Sequence, residues 1–130
     1  MKAVFQTKFG KPHGNCLQAC VATVLELELE TVPNFVDFED WRGELQAFLA
    51  RYGFWAVWLA DGPTPRGYHL IEGIGPRGLC HAVVGHNGEI VHDPHPDGGG
   101  IVEFEDWMVF VCLMEMEIVP NYGEVSDGAL

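Results

Sequence analysis

The chain has 130 residues, the size of one ordinary domain, and 7 Lys and Arg stand against 19 Asp and Glu, a formal charge of −12. Such a chain has no basic stripe to displace counterions from phosphates and is repelled by anionic lipid, so neither nucleic acid nor a membrane is an expected partner. Apolar residues make up 48% of the sequence, enough to close a core, while the longest apolar runs, such as 54–60, are far too short to span a bilayer.

The opening Met1-Lys2-Ala3-Val4-Phe5-Gln6 contains no extended apolar region and no small-residue cleavage site, which makes the cytoplasm the expected compartment. The 4 cysteines are then expected as thiols rather than as a disulfide framework. Residues 16–26 place Leu17, Cys20, Val21, Val24 and Leu25 on one helical stripe, with Asn15 as the expected N-cap. A break at Pro33-Asn34 precedes a second stripe, Trp41, Leu45, Phe48, Leu49 and Tyr52, which Gly53 ends. The period then changes. Residues 54–59 are apolar on both faces, as a covered strand would be, and 68–74 read as a strand followed by a Gly75-Pro76-Arg77-Gly78 turn. Two short runs, 79–85 and 89–93, flank His86-Asn87-Gly88, and 108–118 is the last expected strand. Residues 119–130 read as a loose tail. Helices followed by strands predict one α+β domain over 1–130, with N-terminal helices packed against a small, mostly antiparallel sheet.

Cys16 falls at the first turn of the first helix, where unpaired N–H groups and the positive end of the dipole favour a thiolate and offer a backbone N–H to an oxyanion. That position is expected to lower the thiol pKa. Cys20, one turn on, lies on the apolar stripe and is expected to be inert packing. A nucleophile needs a base, and 4 of the 6 histidines, His81, His86, His92 and His95, lie in the hairpin region. A two-residue Asn87-Gly88 loop would set His81 opposite Pro94. A three-residue loop pairs Val84 with Ile90 and Val83 with Val91, and sets His81 beside Asp93, within reach of a carboxylate that fixes the imidazole tautomer. The better apolar pairing favours the three-residue loop.

These strings resemble the papain-like cysteine peptidases, and within them the C39-type (bacteriocin-processing-like) group. Gly14-Asn15-Cys16-Leu17-Gln18-Ala19-Cys20 is similar to that group's Asp-Cys-Gly-x-Ala-Cys string, although Leu17 stands where the string has Gly. His81-Ala82-Val83 and Asp93-Pro94 are similar to its His-x-Val and Asp-Pro segments. The resemblance implies a papain-like fold, Cys16 as nucleophile, His81 as general base and acid, and Asp93 as the orienting residue. It also implies an oxyanion hole from the Cys16 backbone N–H and an upstream glutamine, matched by Gln6, with 8–14 looped out between. Neither metal nor cofactor is then needed, and the expected partner is a peptide or protein substrate cleaved at an amide bond; acyl transfer and deamidation use the same groups.

Two other readings compete. The histidine cluster with Asp93 holds enough donors for zinc, but lacks Cys-x-x-Cys or His-Glu-x-x-His spacing. A silent interaction protein on the same fold would be expected to have a broken triad, whereas all three positions here hold competent residues. Trp41, Trp55 and Trp58 are expected in the core, Gly98-Gly99-Gly100 as a flexible loop, Glu26, Glu28 and Glu30 as a solvated edge, and Arg66 and Arg77 in surface turns.

Overall fold

A computed structural model of the chain describes residues 1–10 and 13–113; the expected tail at 119–130 and the end of the expected last strand lie outside them. Helix α1 (Cys16–Leu25) follows the first stripe and buries Leu17, Cys20 and Val21 among others. Two single 3₁₀ turns, Leu29–Thr31 and Phe35–Asp37, carry the chain across the Pro33 break. Helix α2 (Trp41–Ala50) is capped by Asp40, whose carboxylate accepts the Gly43 N–H at 3.1 Å, and it buries Leu45, Phe48 and Leu49.

The strands β1 (Phe54–Leu59), β2 (Tyr68–Ile74), β3 (Cys80–His86), β4 (Glu89–His92) and β5 (Glu103–Cys112) form one five-stranded sheet in the order β1-β5-β2-β3-β4. Each of these pairings is antiparallel. Both helices cover the same face, α1 over β3 and α2 over β1, so the domain is α+β with helices on a single side. Between the layers lie Leu17, Cys20, Val21, Phe35, Leu45, Leu49, Leu70, Ala82, Val84 and Met108, a continuous apolar core.

Three details depart from the sequence expectations. First, β1 is an edge strand, not a covered one: Trp55 is 46% exposed, and Val57 and Leu59 also face outward. An apolar run of this length does not encode its place in the sheet, and β5 inserts between β1 and β2. Gln46 of α2 closes the free edge, donating to the Ala56 carbonyl at 2.9 Å and accepting the Ala56 N–H at 2.8 Å. Second, β5 begins at Glu103, five residues ahead of the apolar-rich stretch, because its acidic start pairs with the end of β2.

Third, the β3–β4 hairpin turns through two residues, Asn87 (φ 53°) and Gly88 (φ 87°), and His86 pairs with Glu89. Both φ values are left-handed, as a type I′ turn requires, and they match the strand twist better than the longer loop. The apparent waste of Ile90 opposite Gly85 has a cause on the neighbouring strand. The buried His69 ring fills the space where a Gly85 side chain would lie, since a Cβ there would stand 2.6 Å from His69 Nε2. A bulge then shifts the ladder so that Val84 pairs with His92.

A second bulge separates Glu72 and Gly73 where β2 meets β5. A Cβ on Gly73 would collide with the Glu103 carbonyl oxygen, a backbone atom that cannot swing aside. Gly73→Ala is therefore expected to destabilise the fold by ~1–3 kcal/mol, read as a lower urea midpoint with unchanged m.

Candidate active site

The N-terminal segment is stitched between the start of α1 and the end of β4. The Gln6 N–H donates to the Pro94 carbonyl at 3.0 Å, and the imidazole of His92 meets the Val4 carbonyl at 2.6 Å. Asn15 does not cap α1 as expected. Its Oδ1 instead accepts the N–H groups of Thr7 (2.9 Å) and Lys8 (2.8 Å), tethering the segment that carries Gln6. The first N–H groups of α1 are thereby left without a side-chain cap.

Cys16, His81 and Gln6 line one cavity of about 720 Å³, the larger of the two described. His81 Nε2 and Asp93 Oδ1 lie 2.7 Å apart, with side chains only 7% and 11% exposed. The pair meets although the bulged register differs from the one expected to bring it together. The His95 N–H at 2.9 Å also donates to Asp93 Oδ1, and the Gly100 N–H at 2.8 Å donates to Oδ2. Burial pushes the Asp93 carboxyl up, but these donors outweigh it and hold its pKa below the ordinary range. Asp93 thus stays ionised, fixes the proton on Nε2, and leaves Nδ1 as the basic nitrogen. Desolvation lowers the His81 pKa despite the carboxylate, so the ring is neutral at pH 7.

The Cys16 thiol departs from expectation. Burial raises its pKa, and the backbone N–H groups of Ala82, Leu17 and Cys16 itself only partly offset this. Glu72 adds a repulsive contribution. The helix start does favour the anion, but desolvation is the larger effect, so the resting pair is thiol and neutral imidazole. Among the described residues no hydrogen bond joins Cys16 to His81. Cys20 is fully buried and donates to the Ala82 carbonyl at 3.3 Å, a packing residue as its position on the stripe implies.

Gln6 is 7% exposed, with Nε2 donating to the Lys8 carbonyl at 2.9 Å and Oε1 buried without a partner among the described residues. The same carbonyl accepts the Asn15 N–H at 3.3 Å, which closes the loop between Lys8 and Asn15. A Cβ at Gly14 would come within 2.7 Å of this carbonyl and 3.2 Å of Gln6 Nε2, so only glycine fits there.

Of the other histidines, His95 stays beside the site, its ring centroid 6.5 Å from that of His81, and the rest scatter. His13 pairs with Asp37 at 2.9 Å, His86 lies against the Tyr68 ring, and His92 is held by Val4. Among the described residues no group of three or more His, Cys, Asp or Glu could hold a metal ion. No described helix is long and apolar enough to cross a membrane.

Sequence reasoning passed over the other arm of the cavity, where Trp41, Arg42, Trp58, Glu72 and Asp106 meet. Glu72 and Asp106 face each other across β2 and β5, and the Trp58 indole N–H donates to Glu72 at 2.9 Å. Two indoles expected in the core, Trp41 and Trp58, are instead half-buried cavity walls, and Trp55 faces outward. The available signal was period-2 alternation: Glu72 follows inward-facing Leu70, so a carboxylate takes a core-facing position.

Burial, reinforced by Asp106, pushes the Glu72 carboxyl up to about 8, against the pull of Trp58 and Arg42. The folded state therefore holds a proton that the unfolded chain releases above the ordinary carboxylate range, and this contribution to stability fades as pH rises toward 8. Glu72→Gln keeps an acceptor for Trp58 without a charge. Its melting temperature relative to the unsubstituted chain is expected to rise from about pH 5 to about pH 9 in thermal denaturation.

No family model, curated protein or solved structure matches the chain.

Proposed function

We propose that the chain is a papain-like thiol hydrolase that cleaves an amide bond, in a peptide or protein substrate, through an acyl-enzyme on Cys16. The observation that carries this reading is the buried His81–Asp93 pair, which commits Nε2 and leaves Nδ1 free, on a residue that lines the same cavity as Cys16. His81 Nδ1 takes the thiol proton as Cys16 Sγ attacks the carbonyl carbon, which offsets the raised thiol pKa because the anion forms only during attack. The tetrahedral oxyanion is met by N–H groups at the uncapped start of α1 and by the second Nε2 hydrogen of Gln6. The imidazolium returns its proton to the leaving nitrogen as the C–N bond breaks. Neutral His81 then deprotonates a water, whose oxygen attacks the thioester and frees the acid and the thiol. An amine in place of that water gives acyl transfer.

The test uses p-nitrophenyl acetate, with adducts mapped by mass spectrometry. Nitrophenolate is expected in a burst of one equivalent, with the acetyl group on Cys16 ahead of Cys20, Cys80 and Cys112. Acetylation of Cys16 no faster than of the exposed Cys80 would overturn the reading.

A further inference from the structure

We propose that the cavity arm floored by Glu72 and Asp106 and walled by Trp41 and Trp58 is a specificity pocket for a cationic substrate side chain, an ammonium or guanidinium. The inference rests on the thiol-hydrolase reading for the reaction beside it, but the binding it describes needs no turnover. Glu72 and Asp106 stand directly opposite in the antiparallel register, an arrangement of like charges that destabilises a sheet unless a proton or a cation lies between them. Asp106 Oδ1 is buried, and its one partner among the described residues is the Glu72 carboxyl, which holds a proton up to about pH 8. A ligand cation that takes the place of that proton supplies donors to both carboxylates.

The two indoles meet edge to face, with centroids 6.2 Å apart, and both already receive a cation. The Arg42 guanidinium carbon lies 5.0 Å from the Trp41 ring and 5.2 Å from the Trp58 ring. Among the described residues, however, Arg42 forms no ion pair with either carboxylate. Arg42 is an exposed residue, so a substrate cation can displace its guanidinium from the rings and continue to the carboxyls that Arg42 leaves unpaired. The groups facing this arm are Cys16 from α1, Arg42 from α2, and Glu105 and Asp106 from β5. Glu72 and Cys16 line the same cavity, which sets the pocket beside the nucleophile. The cationic side chain is therefore borne by a residue close to the cleaved bond. The charge of −12 on the whole chain steers the same class of ligand toward the cavity.

The test is an NMR titration of Cys16→Ala protein, which cannot be acylated at Cys16, following the indole N–H signals of Trp41 and Trp58. The probes are N-acetyl-lysine methylamide, N-acetyl-norleucine methylamide, which keeps the alkyl chain without the ammonium, and N-acetyl-glutamate methylamide. The lysine compound is expected to shift the Trp58 signal and to bind about tenfold more tightly than the norleucine compound. Glu72→Gln and Asp106→Asn are expected to remove that preference. Equal or tighter binding of the norleucine or glutamate compound, no shift by any probe, or a preference that survives both substitutions would each overturn the proposal. The comparison of probes on protein carrying Cys16→Ala alone stands even if a further variant fails to fold. A lysine preference without Cys16 acetylation leaves the pocket standing and removes the hydrolase reading; acetylation without the preference does the reverse.

Discussion

Replacing His81 with alanine is expected to slow acetylation of Cys16 by p-nitrophenyl acetate about 10²–10⁴-fold at neutral pH. The size of the effect follows from the resting state. With the thiol pKa raised by burial, very little thiolate exists at pH 7, so nearly all attack depends on a base that removes the proton in the same step. His81 suits that role because its own pKa is lowered, which keeps Nδ1 unprotonated at pH 7 and somewhat below the ordinary histidine value. The pH profile tests this separately from the rate. In the unsubstituted chain the rate is expected to level off once His81 is neutral, beginning below about pH 6.5. In His81→Ala it is expected to climb about tenfold per pH unit through pH 9, tracking free thiolate. Added imidazole is expected to restore part of the rate. Identical profiles for the two proteins would remove His81 from the mechanism.

Asp93→Ala is expected to act on chemistry and stability together. The carboxylate accepts from His81, His95 and Gly100, so its removal frees the ring to rotate or exchange tautomers and strands backbone donors. Cys16 acetylation is expected to fall by about 10²–10⁴, since loss of an orienting carboxylate acts through the wrong tautomer. Urea denaturation at pH 7 is expected to show a loss of ~2–4 kcal/mol, because a buried ring and two N–H groups lose their charged partner. The sign with pH is fixed. Asp93 has a folded pKa below its ordinary value, so its contribution is present above that value and disappears as pH falls through the folded pKa. The stability gap between the unsubstituted and substituted chains is therefore expected to narrow as pH falls below the ordinary aspartate value of about 4. A gap that stays constant from neutral to acid pH would mean that Asp93 acts by shape rather than by charge.

The register of the β3–β4 hairpin shows where sequence reasoning failed and why His81 and Asp93 meet nonetheless. Pairing Val83 and Val84 with β-branched partners is a sound local argument, but it assumes that β4 packs only against β3. The ring of His69, contributed by β2, already occupies the space over Gly85 and removes any gain from a longer loop. The turn then follows its own Asn-Gly chemistry, and the bulge supplies the missing residue. His81 and Asp93 still meet, because long side chains near a strand end reach diagonal neighbours as well as facing ones.

The sequence alone determined what depends on local periodicity and chain order: both helices, the limits of β2 and an α+β domain. These are short-range properties, since a stripe of apolar residues or a helix start is defined within a few turns of chain. Tertiary structure alone decided the order of strands, the edge position of β1, and the meeting of Glu72 with Asp106 and the indoles, all of which need residues tens of positions apart. It also decided the sign of the Cys16 pKa shift. The helix start acts locally in favour of a thiolate, whereas desolvation depends on everything packed around the sulfur, and in this fold the surroundings prevail.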